Sequence, residues 1–339
     1  MYEEFYNLTG KPFQLSPDPS FFFGSRGHKR AMAYLEYGVE QAEGFIVITG
    51  EVGAGKTTLV RNLFDGLDRN QVIAAQLVST QLEADDMLRA VCSAFGLEFR
   101  GNKAERLLAL ESYLLECQRK GKRCLLVVDE AQNLPPAAVE ELRMLSNFQT
   151  SNGSLLQSFL VGQPEFRSTL QSPSMRQLRQ RVIATYHLGP LDQEETRGYI
   201  EHRLQRVGWQ NDPEFSNEAF EALHEYADGV PRRINTVCDR LLLMAFLEEL
   251  HFIDSDTVQE VINELDQDFG VRGDEDDSGD QATGQNASTG AMDDQTASDI
   301  HARIEKLGAR VSRLERYVVY TSKLSRQILT HVGKKNTND

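Results

Sequence analysis

The stretch Gly50–Thr57, GEVGAGKT, follows the apolar run FIVIT (45–49) and opens a helix-like stretch, KTTLVRNLFDGL. A glycine-rich turn between a buried strand and a helix constrains a chain strongly. The glycines let backbone N–H groups curl inward, and the helix N-terminus adds partial positive charge, so the loop is suited to hold phosphates. The spacing matches G-x-x-x-x-G-K-[ST]. It predicts that Lys56 reaches the β- and γ-phosphates of ATP and that Thr57 sets its hydroxyl on Mg²⁺. Gly50, Glu51, Val52, Gly53, Ala54, Gly55 and Thr58 complete the cradle. A plain glycine-rich turn with a chance lysine is the competing reading. The strand before and the helix after weigh against it.

A second motif supplies the other half of such a site. In LLVVDEAQNL, four apolar residues form a buried strand and Asp129 emerges at its C-terminal end. There Asp129 would hold the Mg²⁺ shell, and Glu130 directly after it would polarise a water for attack on the γ-phosphate. Alone, an Asp-Glu pair ending a strand is more often a solvated strand end. Behind a phosphate loop it favours hydrolysis over transfer to a small molecule.

The chain has 339 residues, room for two or three compact units. Apolar runs at 45–49, 72–78, 124–128, 155–161 and 182–188 read as strands. They alternate with amphipathic stretches that read as helices. That alternation implies an α/β core in which a parallel sheet carries helices on both faces, over 45–190. Residues 1–44 hold an extended opening with Pro12, Pro17 and Pro19, then a helix from about Gly27 to Gln41. From 191 to 268 the strands stop, and four helical patterns predict a small all-helical lid. Asp192, Ser216 and either Asp254 or Ser255 are its candidate N-caps. Residues 269–298 are rich in Gly, Asp, Ser, Thr and Gln, and read as an acidic disordered linker. A further helix is expected over 299–333.

With these motifs in place the chain resembles the AAA+ ATPases over about residues 1–268. The opening FYNLTGKPFQLSPDPSFFFGSRGHKRAMAYLEYG resembles the branch containing general secretion pathway A proteins and the exosortase- and PEP-CTERM-associated secretion ATPases. Secretion pathway A proteins typically continue into a membrane span and a peptidoglycan-binding domain. Neither is legible here, which points to the exosortase-associated type. The resemblance implies an ATPase that self-associates through its core and remodels envelope export or exopolysaccharide machinery. It implies a sensor-1 role for Gln163, positioning the attacking water. It implies an arginine finger among Arg176, Arg179 and Arg181, reaching a neighbouring subunit, with Arg181 first and Arg179 second. It implies a sensor-2 role for Arg232 in GVPRRIN, with Arg233 as fallback. His28 and Tyr34 are placed to flank an adenine, but a His and an aromatic at helical spacing more often pack, so they stay outside the predicted site.

Composition narrows the setting. There is no run of 18 apolar residues and no basic-then-apolar leader, so the expectation is a cytoplasmic protein, at most peripheral on the inner membrane. Cys92, Cys117, Cys124 and Cys238 show no metal-ligand spacing and read as reduced buried thiols. The net charge of −15 is unevenly spread. Residues 266–299 hold ten acids against Arg272, whereas 300–335 hold nine Lys or Arg against Glu305 and Glu315. The acidic body weighs against DNA as a partner. From Ile300, apolar residues recur at 304, 307, 311, 314 and 318, which puts β-branched residues at a and Leu at d of a heptad. A two-stranded coiled coil, a basic helix on an anionic membrane surface and a single helix packed on the body all remain open. Truncation after Gly270 is expected to keep ATP binding and to change oligomeric mass or membrane fractionation. Unchanged mass and fractionation would remove the first two readings.

Overall fold

The computed structural model describes residues 1–41, 44–78, 83–97, 101–151 and 153–270. The linker expected from 269 onward and the helix expected over 299–333 lie outside them, except that 269 and 270 end the helix Ser255–Gly270.

Among the described residues nine strands occur in chain order: β1 Phe45–Gly50, β2 Val72–Val78, β3 Arg123–Asp129, β4 Gln149–Thr150, β5 Gly153–Ser154, β6 Leu156–Gly162, β7 Val182–Leu188, β8 Glu214–Phe215 and β9 Phe252–Ile253. Five of them form one sheet in the order β2-β3-β6-β1-β7, and every neighbouring pair is parallel. The expected parallel sheet is therefore present, with each of the five predicted strands in it. A parallel sheet buried on both sides needs continuous apolar strands, and β1 is buried along its whole length. Successive side chains then serve opposite faces. Phe45 and Val47 join one core with Leu126, Val128 and Leu160, under the helices Ala84–Ala94, Lys103–Arg119 and Pro136–Leu145. Ile46 and Ile48 join the other with Val127, Phe159 and Val161, under the helices Arg26–Gln41 and Lys56–Gly66. All four cysteines are buried and free.

The lid begins at a capping box. Asp192 accepts from the Glu195 amide, and the Glu195 side chain returns to the Asp192 amide. Ser216 caps the next helix, Asn217–Ala227, through the Ala219 amide. Of the two candidates for the last cap, Asp254 takes the role, accepting from the Thr257 amide at 2.9 Å. The lid is not purely helical: β8 and β9 pair in parallel and join the connection before the helix Asn217–Ala227 to the one before Ser255–Gly270. Each strand is two residues long, too short to leave an alternation in the sequence.

The start of the chain packs on the lid. Tyr2, Tyr6, Leu8 and Phe13 are buried in the same core as Leu204, Phe220, Leu241 and Val258. Tyr2 donates to Asp239 at 2.7 Å and Tyr6 to the Leu250 carbonyl at 2.8 Å. The next ten residues cross back toward the sheet as a strap. Arg203, 6% exposed, fastens it: Nε donates to the Pro12 carbonyl at 2.6 Å, Nη2 to the Gln14 carbonyl at 3.3 Å, and the guanidinium lies 4.8 Å from the Phe21 ring. On the core side Arg61 donates to the Pro17 carbonyl at 2.5 Å. Replacing Arg203 by Met strips buried carbonyls of charge-assisted donors, and we expect a loss of about 2–4 kcal/mol in urea unfolding. A loss under about 0.5 kcal/mol, the range of ordinary surface substitutions, would mean that the strap is held by its apolar contacts alone.

Candidate functional site

All five strands of this sheet end on one edge, and the predicted phosphate-loop residues, Asp129, Glu130 and Gln163 gather there. The loop after β1 turns through Gly53 (φ 86°) and Gly55 (φ 96°), conformations that strain any residue with a Cβ. At Gly53 the approach is also close: a Cβ there would stand 2.3 Å from the Cβ of Arg232, and the Arg232 amide donates to the Gly53 carbonyl at 3.2 Å. The lid thus rests directly on the loop.

Lys56 is buried at the first position of its helix, and its Nζ donates to the carbonyls of Gly50 at 2.6 Å and Glu51 at 2.9 Å. Two of its three donors are used this way, which leaves one for a ligand. Burial lowers its pKa, opposed by the charges of Glu130, Asp129 and Glu51. Thr57 donates to Asp129 Oδ2 at 3.1 Å, so the two predicted Mg²⁺ ligands already adjoin. Asp129 is 3% exposed, and burial pushes its carboxyl above the usual range although the Glu130 amide and Thr57 both donate to it. A hydroxyl and a carboxylate side by side are hard oxygen donors that suit Mg²⁺ shared with phosphates. The residues present therefore fit a magnesium nucleotide.

Glu130 has left-handed backbone angles, φ 54° and ψ 41°. For a non-glycine residue this is sparsely populated and costs of order 1 kcal/mol, a form of strain that collects at functional sites. Its Oε2 accepts from Gln132 Nε2 at 2.5 Å and from Gln163 Nε2 at 3.4 Å. Because β6 lies between β1 and β3, Gln163 emerges between the phosphate loop and Glu130.

A cavity at this edge is lined by Val52, Gly53, Gly55, Lys56, Thr57, Thr58 and Glu130 from the core. Arg232 enters from the lid and is exposed, whereas Arg233 turns away to pair with Asp228 at 2.5 Å. The opposite wall was not foreseen from sequence: Gln14 to Asp18 and Phe21 to Phe23 of the strap, with Tyr199 and Asn235 of the lid. The proline-rich composition of that segment excluded helix but carried no sign of where it would lie. His28 and Tyr34 do not line the cavity. His28 is buried beneath the loop, its Nδ1 2.7 Å from Ser25 Oγ, and burial lowers its pKa, which favours the neutral ring. Tyr34 sits outside against Tyr186.

The arginine cluster lies elsewhere. Arg181 precedes β7, whose first residue is level with Phe45 and whose last is level with Gly50. It is therefore at the far edge of the sheet, about 20 Å from the loop of its own chain at about 3.3 Å per residue. Arg181 donates to Ser146 Oγ at 2.6 Å and to Asn147, and Arg179 donates to the Leu170 carbonyl at 2.8 Å. Arg176 is exposed, and among the described residues its guanidinium makes no hydrogen bond or ion pair.

A phosphate loop, an acidic strand end and a helical lid on a five-stranded parallel sheet define a nucleotide-binding AAA protein. Residues 39–170 match the AAA domain family. It is similar to general secretion pathway protein A of Aeromonas hydrophila, at 40% identity over 255 residues, or 75% of this chain. A second relative is an uncharacterized HTH-type transcriptional regulator of Methanocaldococcus jannaschii, 28% identical over 160 residues, or 46% of this chain. The chain spans less than half of these relatives, 46% and 38% of their lengths. Among solved structures, the Aeropyrum pernix ORC2 protein shares the fold at 18% identity, with a TM-score of 0.57 over 75% of this chain and 71% of that one. The Thermotoga maritima RuvB branch migration motor does so at 20% identity, with a TM-score of 0.51 over 75% of this chain and 74% of that one.

The buried Asp129 generates a prediction. Its folded-state pKa lies above the unfolded value, so the ionised form opposes folding at neutral pH, and that cost vanishes as pH falls below the unfolded carboxylate range. Without nucleotide, Asp129→Asn is expected to melt above the wild type at pH 7.5, with the gap closing toward pH 4. Mg²⁺ with ATP should raise only the wild-type melting temperature appreciably. An Asp129→Asn protein that melts lower at every pH would contradict this.

Proposed function

We propose that the chain hydrolyses ATP and uses the cycle to remodel a partner assembly in envelope export. The observation that carries the hydrolytic reading is the line of groups at the strand ends. The Thr57–Asp129 pair adjoins the phosphate loop, and Glu130 beside it opens to the cavity with Gln163 within reach. In this reading Lys56 neutralises the β- and γ-phosphates. Thr57 and Asp129 hold Mg²⁺, which supplies charge neutralisation and orientation at the phosphates. Glu130 accepts the proton of the attacking water, and Gln163 fixes that water. Arg232 meets the γ-phosphate from the lid, so that closure of the lid and phosphate loss are coupled.

The trans contribution comes from the arginine cluster. Its distance from its own loop suits a role in a neighbouring copy. Arg181 and Arg179 are engaged within the chain, which makes Arg176 the most available guanidinium of the three. Self-association through the core is part of this reading.

The export setting rests on the 40% identity to general secretion pathway protein A over 75% of the chain. An exosortase- or exopolysaccharide-associated machine is the finer form of the proposal. Among the described residues no helix is long and apolar enough to cross a membrane. Inner-membrane contact in this reading is made through the partner or through the basic segment after residue 299.

Glu130→Gln should retain ATP, since the phosphate and metal ligands are untouched, while phosphate release falls by about 10²-fold or more, the usual share of a general base. Turnover at the wild-type rate would remove Glu130 from the mechanism.

A further inference from the structure

Gln132 carries no role in the account above, yet both ends of its amide are committed at the centre of the site. It lies in the tight turn Ala131–Asn133 that follows Glu130. Its Oε1 accepts from the Gln163 backbone amide at 3.0 Å, and its Nε2 donates to Glu130 Oε2 at 2.5 Å. The first bond decides the second. A backbone N–H can only donate, so the carbonyl end of the Gln132 amide must face it. The NH₂ end is thereby locked toward Glu130 and always offers that carboxylate a donor. Room for the bridge comes from Gly162, where a Cβ would stand 3.1 Å from Gln132 Oε1 and 3.4 Å from the Gln132 amide nitrogen.

We propose that Gln132 is a positioning residue for Glu130, bracing it against the end of β6 so that one oxygen is anchored and the other faces the cavity. The inference rests on the hydrolytic reading above. Oε2 of Glu130 takes both glutamine donors, and Oε1 makes no hydrogen bond among the described residues. The Glu130 amide is held by Asp129 Oδ1 at 3.0 Å. Main chain and one carboxylate oxygen are thus both fixed, in a residue whose left-handed backbone would otherwise relax. A bridge between the ends of β3 and β6 also keeps Gln163 in step with Glu130, because the same amide holds both.

Two variants separate positioning from structure. Gln132→Ala removes both bonds. Gln132→Glu keeps the size and the acceptor for the Gln163 amide but replaces the donor to Glu130 by a second carboxylate. The full chain would be assayed for steady-state phosphate release, for binding of a fluorescent ATP analogue, and for melting temperature. We expect kcat to fall about 10-fold or more in both, a fraction of what a general base contributes, with nucleotide Kd within about 2-fold of the wild type. A merely structural role would weaken nucleotide binding and melting together with kcat in Gln132→Ala, and would leave Gln132→Glu near wild type. That pattern, or kcat unchanged in both variants while Glu130→Gln is inactive, overturns the inference and leaves the hydrolytic reading standing. Absence of phosphate release from the wild type overturns both.

Discussion

The site depends on the sheet running in one direction with β6 inserted between β1 and β3. In a parallel sheet every strand delivers its following loop to the same edge. The phosphate loop after β1, the Asp129-Glu130 pair ending β3 and Gln163 after β6 are far apart in sequence. They become neighbours because the strands that carry them are. Burial on both faces makes the arrangement stiff. Phe45, Ile46, Val47 and Ile48 alternate between two separate cores, so β1 cannot slip by one residue without moving each side chain to the wrong face.

The second wall of the cavity comes from the two ends of the described chain. Residues 1–13 complete the lid core, and the strap that follows leads back to the phosphate-loop helix. Arg203 on one side and Arg61 on the other hold its carbonyls. Together with the Arg232–Gly53 backbone bond, the strap ties lid to core across the pocket. A change at the phosphates therefore has two direct routes into the lid.

Charge burial accounts for the tension within the site. Asp129 and Lys56 are both almost wholly removed from water, and in both cases desolvation shifts the pKa toward the neutral form. Thr57, the loop carbonyls and the Glu130 amide compensate only in part. Such a cluster lowers stability, and its groups stand already oriented for cations and phosphates. The strained backbone at Glu130 belongs to the same economy: local rules are broken where a ligand is to be met.

Much of this was legible in the sequence. The glycine-rich loop, the five apolar runs, the Asp-Glu pair and the capping residues Asp192 and Ser216 are local signals, and each appears where its pattern placed it. Local signals work there because strand burial, phosphate-loop turns and helix caps are decided by residues within one or two turns of each other. The sequence did not reveal that the strap would wall the pocket, that His28 would buttress the loop from below, or that two-residue strands would close the lid. Nor did it reveal that Gln132 would bridge two strand ends. Those features are contacts between segments up to about two hundred residues apart, whose side chains carry no mark of their partners. Only the packing of the sheet, which sets β3 beside β6 and the lid against the loop, decided them.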